Sequence, residues 1–236
     1  MGAPGVDVIK WGTERARAGP WRGDGHVAYL TPVADAPALS AAFVRTCLET
    51  LASRGYQRVV TGALSPAETR GFLAAGFEIS EQLHLLSHDL RIIPDASTPL
   101  PMRKGVGRDD HAVLEVDHLA FPPFWQLDCG GLHDAIRATP RTRYRVVEHG
   151  RVVGYSITGR AGRRGYVQRL AVDPDHRQQG LGAALVVDGL RWLRRWRVDR
   201  AVVNTQLDNG GALALYERLG FRRQPLGLSV LSAGIA

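Results

Sequence analysis

The stretch 173-DPDHRQQGLGAAL-185 decides how the rest of the chain reads. A β-rich run, YVQRLAV (166–172), stops at Asp173-Pro174, and helix formers begin at Ala183. Between them stand Gly180 and Gly182, with Arg177, Gln178 and Gln179 just upstream. The first turn of a helix has backbone N–H groups without intrahelical partners and carries a partial positive charge. Glycines at that point remove side chains that would hold an anion away, and they allow backbone angles that other residues resist. The pattern predicts a diphosphate site made mostly of main chain, from Gln178 through Gln179, Gly180, Leu181 and Gly182 to Ala183, with Arg177 at its mouth. A P-loop is poorly supported, since Ala183 and Ala184 stand where a Lys-Ser or Lys-Thr pair is needed. A dinucleotide fingerprint also fits badly, because Leu185 occupies the place of its third small residue.

Downstream, Gly182 to Trp196 places Val186, Leu190 and Leu193 on one side and Asp188, Arg191 and Arg194 between them, which predicts an amphipathic helix. RAVVNTQL then reads as a strand, GALALYERLG as a short helix stopped at Gly220, and LGLSVL as a closing strand. Upstream, RYRVVEHGRVVGYSITG reads as a hairpin turning at Glu148-His149-Gly150-Arg151. MRKGV reads as a first strand, and DHAVLEVDHLAF as a helix broken by Pro122 and Pro123. The segment 91–110, with Pro94, Pro99 and Pro101, reads as a boundary. The second half is thus a mixed α/β (α+β) domain with a central sheet flanked by helices.

The first half holds a partial second copy. At an offset of 144, Val59 falls on Val203, Thr61 on Thr205, Phe72 on Tyr216, Gly76 on Gly220 and Phe77 on Phe221, without a gap. The helix before it, LSAAFVRTCLETLASRG, sets Leu39, Phe43, Cys47 and Leu51 on one stripe. The loop that corresponds to the glycine stretch reads TPVADAPAL (31–39), with no glycine, and Phe72 replaces the tyrosine. The expected organisation is a degenerate, truncated half over 1–90, a linker over 91–99 and a complete domain over 100–236, with the first half packed on the second and completing its acceptor cleft.

The 236 residues are 44% hydrophobic, enough for a substantial core, with no run of eighteen apolar residues and no signal-peptide pattern at the amino terminus. A cytoplasmic protein is expected. Cys47 and Cys129 match neither a disulfide framework nor a spaced metal pattern, so no metal is expected. A net charge of +7 admits nucleic acid, an anionic cofactor or acidic partners. The densest cluster, RWLRRWRVDR (191–200), reads as a solvated helix end, so nucleic acid is not the expected partner.

LAVDPDHRQQGLGAAL and NGGALALYERLGF resemble the acetyl-CoA motif and the later Asn-to-Tyr helix with its Gly-Phe stop in the GCN5-related N-acetyltransferase (GNAT) superfamily, and residues from about 100 to 236 follow that family's element order. The resemblance implies that the main chain of Leu170, Ala171 and Val172 pairs with the pantetheine arm as an added strand. It also implies that the N–H groups from Gln178 to Ala183 hold the pyrophosphate, that Asn209 contacts the pantetheine or pyrophosphate region, and that Tyr216 lies near the sulfur. The chemistry suits acyl transfer from a thioester to an amine: backbone N–H groups at the strand end stabilise the oxyanion, and a Tyr216 phenol protonates the leaving thiolate. The family's frequent glutamate falls at Tyr166, and no carboxylate lies between Gly165 and Val172. Glu115, Asp117, His118, Asp128 and His133 border the acceptor region without any of them standing out as the base. FPPFWQLD (121–128) adds Phe121, Phe124 and Trp125 there, and its wording resembles protein amino-terminal acetyltransferases of the ribosomal-protein type.

The expected function is therefore an acetyl-CoA-dependent N-acetyltransferase acting by direct attack of a primary amine, in a small molecule or at a protein N-terminus or lysine. The rivals are a non-catalytic acyl-CoA-binding sensor or regulatory module, favoured by the missing base, and a nucleic-acid-binding protein.

Overall fold

The computed structural model describes residues 7–33 and 37–235. Part of the TPVADAPAL loop, residues 34–36, lies outside them. The chain divides into two compact units, one of residues 1–85, 206–208 and 225–236, the other of residues 86–205 and 209–224. Residues 225–236, which the sequence assigns to the second domain, therefore stand with the first. The expected linker, 91–99, belongs to the second unit, where Ile93 and Ala96 pack against a buried cluster.

In the first unit, β1 (Asp7–Trp11), β2 (Glu14–Trp21) and β3 (Asp24–Pro32) form an antiparallel meander. Helix α1 (Ala41–Ala52) leads to β4 (Arg58–Thr61), which runs parallel to β3. Helix α2 (Pro66–Leu73) leads to β5 (Glu78–His88). The C-terminal strand, which is β12 (Leu228–Gly234), pairs with both β4 and β5, antiparallel to each. The predicted stripe is the core: Leu39, Phe43, Cys47 and Leu51 are buried with Ala16, Leu30, Val59, Phe72 and Phe77.

The second unit opens with β6 (Met102–Lys104), α3 (Asp110–Ala120) and α4 (Cys129–Arg137). The sequence reading took Pro122 and Pro123 as a helix break, as found, but passed over α4, whose glycines mask its Asp128 cap and the apolar pair Leu132 and Ile136. An antiparallel meander follows, β7 (Arg141–His149), β8 (Arg151–Ala161) and β9 (Arg164–Val172), its first turn made at Gly150 with φ +71°. Helix α5 (Leu181–Arg195) buries Leu181, Leu185, Val186, Leu190 and Leu193, each worth about 1.5–3 kcal/mol over exposure. Strand β10 (Arg200–Gln206) runs parallel to β9, and α6 (Gly210–Arg218) and β11 (Arg222–Arg223) complete the unit, β11 pairing with Leu86 and Ser87 at the end of β5. Both units are mixed sheets with helices, the expected class.

Candidate functional site

Strands β9 and β10 are paired only at Arg164–Arg200, Gly165–Ala201 and Tyr166–Val202. Past Tyr166 they part. The cause lies on the other edge of β9: its register against β8 shifts between Ile157 and Thr158, so that Gln168 is an extra residue, a β-bulge that bends the strand. Beyond the bulge, Asp173 donates its N–H to the Val153 carbonyl at 2.9 Å. Residues alternate along an antiparallel pair, so Ala171 and Arg169 also turn their backbone groups toward β8, while Leu170 and Val172 turn theirs toward the parted edge. Of the three main chains expected to meet a pantetheine arm, two face the opening. Ala171 stands opposite Tyr155 and is spent within the sheet.

A short turn, Pro174–His176, carries the chain from β9 to the exposed residues Arg177, Gln178, Gln179 and Gly180. Gln178 has φ +60° and Gly180 has φ +81°, two left-handed residues in three, which turn the chain sharply into α5. Gly180 is the N-cap of α5, and no side chain caps the helix. The first intrahelical bond runs from Ala184 N–H to the Gly180 carbonyl at 2.9 Å, so the N–H groups of Leu181, Gly182 and Ala183 precede the helical ladder. The Arg177 Nε donates to the Val172 carbonyl at 3.3 Å, which sets a cation between the glycine turn and the open edge of β9. Gln179 Nε2 donates back to the Asp175 carbonyl at 3.4 Å.

The two glycines differ in role. Gly180 is required by its backbone angle. Gly182 has no such angle, and a Cβ there would meet Leu215 Cδ2 at 3.3 Å, so this glycine lets α5 approach α6. The Leu181 side chain is buried with Val147, Val153 and Leu185 and anchors the helix start.

Tyr216 is buried on α6, in one cluster with Val167 of β9 and Val203 of β10, each just past the last paired residues, and its ring meets Phe221 edge to face. Burial alone, with no charge or hydrogen bond contributing, raises its phenol well above the ordinary 10.0. It therefore keeps its proton throughout the neutral range. Asn209 caps α6, its Oδ1 accepting from Ala212 N–H at 3.0 Å.

The candidate bases are engaged elsewhere. Asp117 is fully buried, accepting from Arg169 Nε at 2.8 Å and Nη2 at 2.9 Å, from Leu127 N–H at 2.8 Å and from the Tyr155 hydroxyl. Desolvation and the Asp117 charge hold the Tyr155 phenol far above its ordinary value, so the hydroxyl serves as donor. His118 Nε2 donates to the Leu127 carbonyl at 2.8 Å, Asp128 caps α4 at Gly131 N–H, and His133 Nε2 bonds Asp110 at 2.7 Å. Exposed Glu115 lies 3.3 Å from His111. Arg169 was missed in the sequence, though it sits inside the quoted strand: it also donates to the Trp125 carbonyl at 2.7 Å and covers the Phe121 ring at 3.5 Å, pinning the 121–128 segment to β9. Its partner lies 52 residues away, a separation no local pattern reveals.

The comparisons agree with this geometry. Residues 111–221 match the model of the Acetyltransferase (GNAT) family. A mycothiol acetyltransferase of Amycolatopsis mediterranei is 33% identical over 183 residues, which are 67% of this chain and 59% of that protein. One of Saccharomonospora viridis is 36% identical over 131 residues, 49% of this chain and 43% of that protein. The chain thus spans less than two thirds of the length of these relatives. In fold, a tandem GNAT protein from the clavulanic acid biosynthesis pathway superposes with a TM-score of 0.71 at 15% identity, covering 99% of this chain and 84% of that one. A GCN5-related N-acetyltransferase from Sphaerobacter thermophilus gives 0.65 at 17%, covering 93% and 76%. Parted strands and an uncapped glycine turn thus lie within a stretch, residues 111–221, that forms a domain of the acetyltransferase (GNAT) family.

Proposed function

We propose that the chain is an acetyl-CoA-dependent N-acetyltransferase whose donor site is the opening between β9 and β10 together with the start of α5. One observation carries the reading: β9 and β10 separate after Tyr166 directly beside a helix N-terminus that no side chain caps. An extended amide-bearing arm fits as an added strand against Leu170 and Val172, and its diphosphate meets the N–H groups from Gln178 to Ala183 beside Arg177. The same N–H groups of the open edge stabilise the oxyanion formed when an amine attacks the thioester. Tyr216, kept protonated by burial, donates to the departing thiolate, the attacking amine enters neutral and its surplus proton passes through water to the phenolate left behind, and direct attack requires no covalent enzyme intermediate. The acceptor is a primary amine of a small molecule, a choice supported by the names of the curated relatives. Residues 1–85 act as a degenerate half of tandem plan. No helix among the described residues is long and apolar enough to cross a membrane, and a cytoplasmic location goes with this reading.

A second reading, a non-catalytic acyl-CoA sensor, is favoured by the engagement of the candidate bases in structural bonds. Calorimetry with acetyl-CoA, followed by thiol release over a panel of small amines and peptides, separates the outcomes. Binding with turnover on a small amine supports the proposal, and turnover on peptides alone moves the acceptor to protein. Binding without any turnover selects the sensor, and a folded protein that gives no heat with acetyl-CoA removes both readings.

A further inference from the structure

We propose that Asp110, Cys129 and His133 form a binding site for a zinc-class divalent cation. Asp110 opens α3, Cys129 opens α4, and His133 follows one turn later on the same face of α4. One ligand atom from each lies within 4.8 Å of the other two. Thiolate, imidazole and carboxylate together are the donor set of borderline-soft metals, whereas magnesium and calcium select oxygen. A second observation points to the same place. Asp110 Oδ2 bonds His133 Nε2 at 2.7 Å, yet its Oδ1 is buried without a hydrogen-bond partner. An unpaired buried carboxylate oxygen is costly, and a cation bound by the Asp110 carboxylate offsets that cost.

Ligand atoms around a tetrahedral zinc stand about 3–4 Å apart. Rotation of the exposed Cys129 side chain closes the remaining gap, and its exposure gives the ion a way in and leaves a fourth position for water. Binding displaces the thiol proton and exchanges the Asp110–His133 hydrogen bond for two metal bonds. The ion would join the starts of α3 and α4 and so close the chain segment that contains Phe121, Phe124 and Trp125. The sequence conceals this site because Asp110 is nineteen residues from Cys129 and only the folded helices bring them together. The inference does not depend on the acetyltransferase reading.

The test uses the full chain, stripped with chelator, kept reduced and titrated with Co²⁺. One equivalent is expected to give the visible bands of tetrahedral cobalt and a sulfur-to-cobalt charge-transfer band, both erased by Zn²⁺. Loss of even an outer-shell partner weakens metal sites about 10–100-fold, so Cys129→Ser is expected to abolish the charge-transfer band and His133→Ala to weaken binding at least about a hundredfold. Circular dichroism of both variants verifies folding, and Cys129→Ser, an exposed and nearly isosteric change, serves if His133→Ala unfolds. Folded wild-type protein whose exposed Cys129 thiol is titratable but that gives no cobalt bands, or a charge-transfer band that survives Cys129→Ser, would overturn the proposal.

Discussion

Residues 41–77 and 185–221 share the same order and spacing of elements. At the offset of 144, α1 falls on the body of α5, β4 on β10 and α2 on α6. The helix stops coincide in detail: Gly76 has φ +93° and Gly220 +90°, Phe77 N–H donates to the Phe72 carbonyl at 3.1 Å and Phe221 N–H to the Tyr216 carbonyl at 3.0 Å, and each pair of rings meets edge to face. The units diverge where the second would hold its ligand. Strand β3 stays paired with β4 from Val27–Arg58 through Leu30–Thr61, whereas at the corresponding positions 202–205 β9 is paired with β10 at Val202 and no further. The start of α1 is filled from within: Ser40 Oγ accepts from Phe43 N–H, and the Glu14 carboxylate accepts from Ser40 N–H and from its hydroxyl. The first unit supplies its own anion at the helix end that the second leaves open. The first unit keeps the packing but presents a closed strand pair and an occupied helix terminus where the second presents an open edge and an uncapped helix start.

The largest expected effect separates Tyr216 from Phe72. Tyr216→Phe removes one hydroxyl that no hydrogen bond holds, so folding and acetyl-CoA affinity are expected to persist while kcat falls about 10²–10⁴-fold, the range for loss of a positioned acid. Phe72→Tyr should gain no activity and should destabilise the first unit by about 1–3 kcal/mol, because Phe72 is fully buried and a new hydroxyl there lacks a partner. Stopped-time thiol release and denaturant melts measure the two. Equal kcat for parent and Tyr216→Phe would strike out the acid and leave Tyr216 a core residue like its counterpart.

Next in size is the helix terminus. Gly180→Val forces a β-branched side chain into φ +81°, where left-handed geometry costs about 1–2 kcal/mol, and it turns away N–H groups whose bonds to a charged ligand are worth about 1.5–3 kcal/mol each. Acetyl-CoA affinity by calorimetry is expected to fall about a hundredfold or more. Gly55→Val, at φ +90° in the first unit and with open space around it, carries similar backbone strain and should leave that affinity unchanged. A weakened affinity in both variants would mean that strain, and not the uncovered N–H groups, decides binding.

Much of this was legible before any coordinates. The repeat at 144, the stripe Leu39-Phe43-Cys47-Leu51, the strand ending at Val172 and the glycine turn all follow from local rules of periodicity and backbone freedom. What stayed hidden depends on pairs far apart in the chain. The exchange of β12 into the first sheet depends on which edge is free, and alternation within LGLSVL does not record that. The bulge at Gln168 is a register event between two strands, invisible in either. The Asp117–Arg169–Tyr155 network spans elements that no spacing rule connects.

A pH profile sharpens the same contrast with a smaller signal. The Tyr216 phenol is raised above 10.0, so the protonated form dominates at every pH below its ordinary value and is lost only beyond it. The parent's kcat should show no alkaline loss from this group up to about pH 10, the reference value for the side chain. An alkaline limb near pH 8 that vanishes in Tyr216→Phe would mean the phenol is not buried as described.

The smallest expected effect lies in the first unit and tests whether Glu14 stands in for a ligand. Glu14→Ala removes the carboxylate from Ser40 and α1 but leaves the Ser40 hydroxyl on Phe43 N–H, so the helix loses one of two caps. Losing a cap costs about 1 kcal/mol, which lowers the melting temperature of a chain of this size by about 2–4 °C. Acetyl-CoA affinity should not change, because β3 and β4 remain zipped and offer no edge for an arm. Added inorganic phosphate should restore part of the lost stability if the vacated terminus binds an anion, as the polarity of an α-helix predicts. Restoration in Glu14→Ala but not in the parent would show that the two helix starts are physically alike and differ only in who supplies the charge. No restoration at any phosphate concentration would confine the anion site to the glycine turn and make the loss in the first unit one of geometry as well as occupancy.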